Sequence, residues 1–106
     1  MAALIDVEIL EQTEDEVRAR VPVTDSLRQP LGLVHGGVYA TIADTITARG
    51  GRAISNQTSF LRPITAGTIH VSARRRHLGR TTAVWEVDVT DDAGRLCALV
   101  RTTIAI

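Results

Sequence analysis

The sequence contains no lysine, one cysteine and three aromatic residues. Tyr39, Phe60 and Trp85 are too few to build the aromatic platform on which single-stranded nucleic acid stacks. The twelve arginines are balanced by twelve acids, so general attraction to nucleic acid is not expected. No apolar run reaches the roughly 18 residues of a membrane span. Cys97 has no internal disulfide partner, which indicates a reducing, cytoplasmic compartment.

A chain of 106 residues predicts one domain, spanning residues 1–106. A domain of this size buries only part of its apolar surface when it folds alone. The 44% hydrophobic content nevertheless favours a globular protein over a disordered one. A second copy of the chain would supply the missing burial, so we expect a homo-oligomer.

The order of the elements predicts an α+β domain, because one helical segment interrupts a series of strand-like segments. Helical spacing of apolar residues predicts a single long helix over residues 36–49, ended by the glycines at 50 and 51. Pro22 predicts that the second strand ends there or lies at a sheet edge. The six predicted strands cover residues 5–10, 16–23, 54–61, 68–77, 81–90 and 96–106. We expect the antiparallel sheet to wrap around the helix.

The helix begins with His35-Gly36-Gly37. Backbone N–H groups at a helix N-terminus have no internal acceptor and carry partial positive charge. Glycine lets another group approach them closely, which suits a phosphate or a carbonyl oxygen that gains charge in a transition state. A tight loop-to-helix turn is the alternative explanation.

Asp44 lies in the middle of the same helix, beside apolar neighbours. A carboxylate there is costly unless it is paired or functional, although an exposed surface aspartate is the plain alternative. Gly36 and Asp44 are eight residues apart, which is about 12 Å along the helix axis. One carbonyl cannot contact both groups of a single helix. A twofold dimer with antiparallel helices would bring Gly36 of one copy near Asp44 of the other.

Gln29, in the loop before the helix, carries an amide donor that could polarise the same carbonyl, and an ordinary loop amide is the alternative. Other chemistries fit less well. The three histidines are far apart in sequence and no zinc spacing is present, so we predict no metal. Neither a phosphate loop, a dinucleotide fingerprint nor a nucleophile elbow occurs.

Taken together, these motifs resemble the hotdog-fold acyl-CoA thioesterases, in the branch of the phenylacetate-pathway and Arthrobacter-type 4-hydroxybenzoyl-CoA enzymes. The last third of the chain is most similar to 1,4-dihydroxy-2-naphthoyl-CoA hydrolases. The residues that carry the resemblance are His35-Gly36-Gly37, Asp44, Phe60-Leu61-Arg62-Pro63, His77-Leu78-Gly79-Arg80, Trp85 and Gly94-Arg95-Leu96-Cys97.

The resemblance implies a hotdog fold and hydrolysis of an acyl-CoA thioester, with an aryl or medium-size acyl group. Asp44 would be the nucleophile or general base, donated by the facing subunit. The Gly36 N–H and the Gln29 amide would hold the thioester oxygen, and His35 would orient the start of the helix. The assembly implied is a homodimer that forms a homotetramer. CoA belongs to the substrate, and no further cofactor is implied.

Five further residues are predicted to contact the substrate: Gly37, Thr47, Arg62, Arg76 and Arg80. The arginines are candidates for the CoA phosphates. The chain also departs from the family pattern. Many relatives carry Glu where Asp44 stands, and relatives often have Ser or Thr where Ala48 stands.

Family helices are also longer, by roughly nine residues between Arg49 and Ile54. A hotdog hydratase or dehydratase and a nonenzymatic acyl-CoA-binding module are the alternative functions.

Overall fold

Six strands and one long helix follow one another in the predicted order. The computed structural model describes residues 5–106, so residues 1–4 of the predicted domain lie outside the description. The helix α1 spans Gly36–Ala48, and a 3₁₀ turn spans Asp25–Leu27. No helix in the described part of the chain is long and apolar enough to cross a membrane. The strands are β1 (Glu8–Gln12), β2 (Glu16–Pro22), β3 (Arg52–Phe60), β4 (Thr68–Leu78), β5 (Thr82–Thr90) and β6 (Leu96–Ala105).

The strands form one antiparallel sheet in the order β1-β2-β4-β5-β6-β3. The helix packs mostly over β6 and β3, at the β3 edge of the sheet. This arrangement confirms the predicted α+β architecture, in which a sheet covers a single helix.

The core lies between α1 and the concave face of the sheet. Alternate residues of the strands face it, as the period-two pattern predicts, and Trp85 and Val87 on β5 are almost fully buried. From the helix, Val38, Ile42 and Ile46 contribute the apolar stripe. The predicted inward faces of β2, β4 and β5 are therefore confirmed.

The strand boundaries differ from the prediction by at most three residues, and the differences are largest for the first and third strands. The first strand starts at Glu8 rather than at residue 5, and all of its residues are exposed, so its apolar pattern carries no information about burial. The third starts at Arg52 rather than at residue 54, because the pairing register shifts between Ala53 and Ser55 and interrupts the alternation. The second strand ends at Pro22, as predicted, and it lies inside the sheet.

Arg49 ends the helix in the left-handed conformation, with φ of 48°. Its guanidinium donates to the carbonyl oxygens of Thr13 and Glu14, at 2.5 and 3.1 Å, and lies over the ring of Trp85 at 5.6 Å. These contacts tie the helix end to the β1–β2 turn. Only three residues then separate α1 from β3, which agrees with the predicted short connection.

The hydrogen bonds to Asp91 in the β5–β6 turn make the stability of the fold depend on pH. Asp91 accepts hydrogen bonds from the backbone N–H groups of Arg95 and Ala93, at 2.9 and 3.0 Å. These bonds, with the Arg95 guanidinium, lower the pKa of Asp91. A carboxyl with a lowered pKa stabilises the fold above its unfolded-state value, about 3.9, and loses this contribution as the pH falls through the folded-state value.

We therefore expect Asp91→Asn to lower the melting temperature at pH 7 and to do so progressively less below about pH 4. Thermal unfolding of both proteins between pH 7 and pH 3 measures this difference. A difference that stays constant over that range would contradict the assignment.

Candidate active site

A cleft of about 610 Å³ opens at the N-terminal end of α1. It contains Gln29, His35 and Gly36, three of the four residues predicted to be catalytic. The rest of its wall is mainly apolar and comes from the loop before α1, from α1 itself and from the end of β3: Leu33, Val34, Tyr39, Phe60, Leu61, Arg62 and Pro63. The predicted oxyanion groups therefore share one cleft within one chain.

The loop that carries Gln29 is closed by its own backbone. The Gln29 N–H donates to the Leu33 carbonyl at 2.7 Å, and the Gly32 N–H donates to the Gln29 carbonyl at 2.9 Å. Gly32 has φ of 87°, a conformation that favours glycine. The Val34 N–H then donates to the Ile64 carbonyl at 2.8 Å, which fixes the loop beside the segment after β3.

The Gln29 amide has one defined orientation. Its Oε1 accepts a hydrogen bond from the Leu31 N–H, which identifies the other end of the amide as Nε2. Among the hydrogen bonds of residues 5–106, none uses this Nε2 group as a donor. Gln29 is half-buried and forms part of the cleft wall.

His35 caps the helix through its ring. Its Nδ1 accepts a hydrogen bond from the Gly37 N–H at 3.0 Å, and its backbone N–H donates to the Leu27 carbonyl at 2.8 Å. Nδ1 is therefore unprotonated, and the proton of the neutral ring is on Nε2. The Gly37 N–H is occupied within the chain, which argues against the predicted substrate contact through that group. None of the recorded bonds in the described part of the chain uses the Gly36 N–H.

Gly36 also makes room for Phe60. A Cβ atom at position 36 would lie 2.8 Å from the Cε1 and Cζ atoms of the Phe60 ring, closer than real Cβ contacts. Phe60 also contacts Tyr39, with ring centroids 6.4 Å apart. Glycine is thus required here by a close approach of the aromatic ring from β3 to the helix start.

Asp44 lies two turns further along α1 and does not line this cleft. It is half-buried on the side of the helix that faces β3, where the Asn56 Nδ2 donates to its Oδ1 at 2.9 Å. The separation of Asp44 from the helix start, which the sequence predicted, is therefore present in the structure. Within one chain, the carboxylate and the cleft do not meet.

Two other groups with nucleophilic atoms lie near the cleft. Burial raises the pKa of Tyr39 to about 12, so its phenol stays protonated at neutral pH. Burial likewise raises the pKa of the Cys97 thiol, which donates to the Arg95 carbonyl at 3.3 Å. Neither group is activated as a nucleophile. The acidic residue on α1 is Asp44.

Thr47, which was predicted to contact the substrate, lies in the core of the chain. Its side chain is almost fully buried, and its hydroxyl donates to the Ala43 carbonyl at 2.7 Å and lies 2.8 Å from the Thr102 hydroxyl on β6. Residues 44 and 47 are about 60° apart around the helix, and the side chain of Thr47 is on the part of that face that contacts β6. These two contacts of the hydroxyl account for a polar residue in the core.

The predicted phosphate-binding arginines lie at two ends of the sheet. Arg62 lines the cleft, and its backbone N–H donates to the Cys97 carbonyl at the start of β6. Arg76 and Arg80 lie toward the other end of the β4–β5 hairpin, and Arg76 pairs with Glu86 at 3.0 Å. Because β6 has ten residues at about 3.3 Å each, these ends are about 30 Å apart.

Comparison with known proteins assigns the chain to a family. The thioesterase superfamily model matches residues 31–98, which include the loop end, α1 and most of the sheet. The chain is 31% identical to the proofreading thioesterase EntH of Klebsiella pneumoniae over 100 positions, covering 85% of this chain and 73% of that one. It is 28% identical to the 1,4-dihydroxy-2-naphthoyl-CoA hydrolase of Escherichia coli over 116 positions, covering 100% and 85%.

Solved structures agree with this assignment. A thioesterase from Haemophilus influenzae is 30% identical and superimposes with a TM-score of 0.85, covering 93% of this chain and 76% of that one. A Mycobacterium tuberculosis protein described as a putative esterase is 29% identical, with a TM-score of 0.89 and coverage of 93% and 89%. This chain belongs to the thioesterase superfamily. Its fold is the hotdog fold, and it is a thioester hydrolase.

The alignment with the E. coli hydrolase is longer than this chain. It runs over 116 positions and covers all 106 residues of this chain, so about ten aligned positions (116 − 106) face a gap here.

Proposed function

We propose that this protein hydrolyses an acyl-CoA thioester with an aryl or medium-size acyl group, in a site shared by two copies of the chain. The observation that carries the proposal is the cleft at the start of α1, which is lined by both Gly36 and Gln29. A thioester oxygen held by these two donors would be stabilised as it gains negative charge. Asp44 of the second copy would act on the carbonyl carbon.

The β3 edge supports the dimer. Among the described strands, β3 pairs only with β6 and leaves its other backbone edge open. Apolar side chains are exposed along or just after it, with Ile54 51%, Phe60 64% and Leu61 57% accessible. An open edge with exposed apolar groups is a ready surface for pairing with another strand.

Twofold pairing at this edge would also align the helices. Because α1 lies over β6 and β3, a second copy continuing the sheet beyond β3 would bring its own α1 alongside. A twofold axis makes the two helices antiparallel, so the Asp44 of each copy would approach the Gly36 of the other. The tetramer implied by the resemblance, and the cytoplasmic location, stay predictions.

In this arrangement the reaction consumes one water. The water oxygen bonds to the thioester carbonyl carbon, and the carbon–sulfur bond breaks. With Asp44 as general base, the water proton moves to its carboxylate and then to the CoA sulfur. With Asp44 as nucleophile, its carboxylate oxygen first bonds to the carbonyl carbon and the carbon–sulfur bond breaks to release CoA thiolate. Water then cleaves the resulting anhydride, and one of its protons passes to the thiolate. Both routes give a free acid and a CoA thiol.

Arg62 is the best candidate for the CoA phosphates, because it is exposed at the cleft mouth. Arg76 and Arg80 lie at the far end of their own sheet, but twofold pairing at β3 reverses the direction of the second copy. They would then lie at the same end of the assembly as the first copy's cleft. The proposal therefore assigns Arg62 and the second copy's Arg76 and Arg80 to a basic surface around the CoA.

A thiol-release screen tests the proposed function. We expect CoA release from benzoyl-CoA, hydroxynaphthoyl-CoA or medium-chain acyl-CoA, with the ranking defining the acyl group. The names of the EntH and dihydroxynaphthoyl-CoA relatives support including aryl substrates. Binding of acyl-CoA without thiol release from any member would instead favour the nonenzymatic binding module.

A further inference from the structure

Asn56 connects β3 to the part of α1 that carries Asp44, and both ends of its side-chain amide form hydrogen bonds. Its Nδ2 donates to the Asp44 Oδ1 at 2.9 Å and to the Ala40 carbonyl at 3.1 Å. Its Oδ1 accepts from the Thr58 hydroxyl at 2.8 Å. Asn56 and Thr58 are both half-buried and lie on the face of β3 that is turned toward the helix.

These bonds fix the orientation of the amide. The carbonyl of Ala40 and the carboxylate of Asp44 are acceptors, so both require the NH₂ end of the Asn56 side chain. A flipped amide would place its oxygen against two other oxygens. The Thr58 hydroxyl can serve the amide oxygen as a donor, which completes the arrangement.

On the helix, the hydroxyls three residues from Asp44, those of Thr41 and Thr47, donate to the Gly37 and Ala43 carbonyls. The residues one turn before and after it on the same face, Ala40 and Ala48, have no polar side-chain atom. Asn56 reaches across from the strand and holds Oδ1. The second carboxylate oxygen, Oδ2, has no recorded partner among residues 5–106 and is left for a water or a carbonyl carbon.

We propose that Asn56, held by Thr58, is a positioning residue that sets the rotation of the Asp44 carboxylate for thioester hydrolysis. The inference rests on the proposed role of Asp44. A neutral amide suits this task because it fixes one oxygen without neutralising the negative charge that the reaction needs. A misplaced catalytic group costs rate even when it is present.

The test is Asn56→Leu, which keeps a similar volume and removes the amide. We expect kcat to fall by about 10- to 100-fold, the usual cost of removing a partner that orients a reactive group, while KM and melting temperature change little. Thr58→Val, which frees the amide to rotate, should give a smaller fall in kcat. Gln57→Leu, on the opposite face of the same strand, is the matched control and should leave kcat unchanged.

A double-mutant cycle separates positioning from a structural effect. If Asn56 acts through Asp44, Asn56→Leu should cause no further loss in an Asp44→Asn background. The inference would be overturned if Asn56→Leu kept the wild-type kcat. It would also be overturned if Asn56→Leu lowered kcat in the Asp44→Asn background by as much as it does in the wild type. If Asp44→Asn itself kept full activity, the proposed function would fail instead, so the two failures are distinguishable.

Discussion

Asp44→Asn is expected to lower kcat for thioester hydrolysis by about 10²–10⁴-fold, the range over which general acid–base catalysis contributes. The amide has nearly the same shape as the carboxylate but can neither accept the water proton nor attack the carbonyl. Asp44 is half-buried and bonded to Asn56 through one oxygen, so the substitution should leave the fold intact. Thiol release under saturating acyl-CoA measures the loss.

Asp88→Asn is the matched control for this prediction. Asp88 is a half-buried aspartate on the outer face of β5, remote from α1, and should retain wild-type kcat. If the Tm of Asp44→Asn equals that of the wild type, its loss of activity is not caused by unfolding. Retention of more than a tenth of the wild-type kcat by folded Asp44→Asn would refute a catalytic carboxylate here.

The second large effect is expected at Gln29. Removing one oxyanion donor typically costs about 10²–10³-fold in kcat, and we expect this loss for Gln29→Ala. The fall should appear in kcat more than in KM, because the donor acts on charge that develops in the transition state. Steady-state kinetics on the best acyl-CoA of the screen provides both constants.

Gln29→Glu separates loss of the donor from loss of loop order. Glutamate keeps the Oε1 atom that accepts from the Leu31 N–H, so the loop should retain its shape. It lacks the N–H donor and adds negative charge where the oxyanion forms. Activity close to wild type in Gln29→Glu would show that the amide is not an oxyanion donor.

Burial alternation made most of the fold predictable. The inward faces of β2 and β5 followed from period two, because one side of each strand packs on the helix. The first strand could not be bounded in this way, since β1 is exposed on both sides and its apolar residues have no core to face. The register shift at Ala53 likewise hid the start of β3.

The candidate site was predictable where it is local in sequence. The histidine and glycines at the helix start are read directly from the sequence. Their distance from Asp44 follows from the rise per residue of a helix. The burial of Thr47 and its hydrogen bond to Thr102 could not be predicted, because both depend on the sheet register. Asn56 was missed for the same reason, although an amide on the inward face of a strand is itself a signal.

The shared site is the central claim, and mixed oligomers of two inactive variants test it most directly. Asp44→Asn and Gln29→Ala chains are co-refolded at equal concentration, so half of the dimers contain one of each. In every such mixed dimer one site carries both substitutions and the other carries neither. The account predicts recovery of about 25% of wild-type kcat per chain, whereas a site built within one chain would leave the mixture as inactive as its parents.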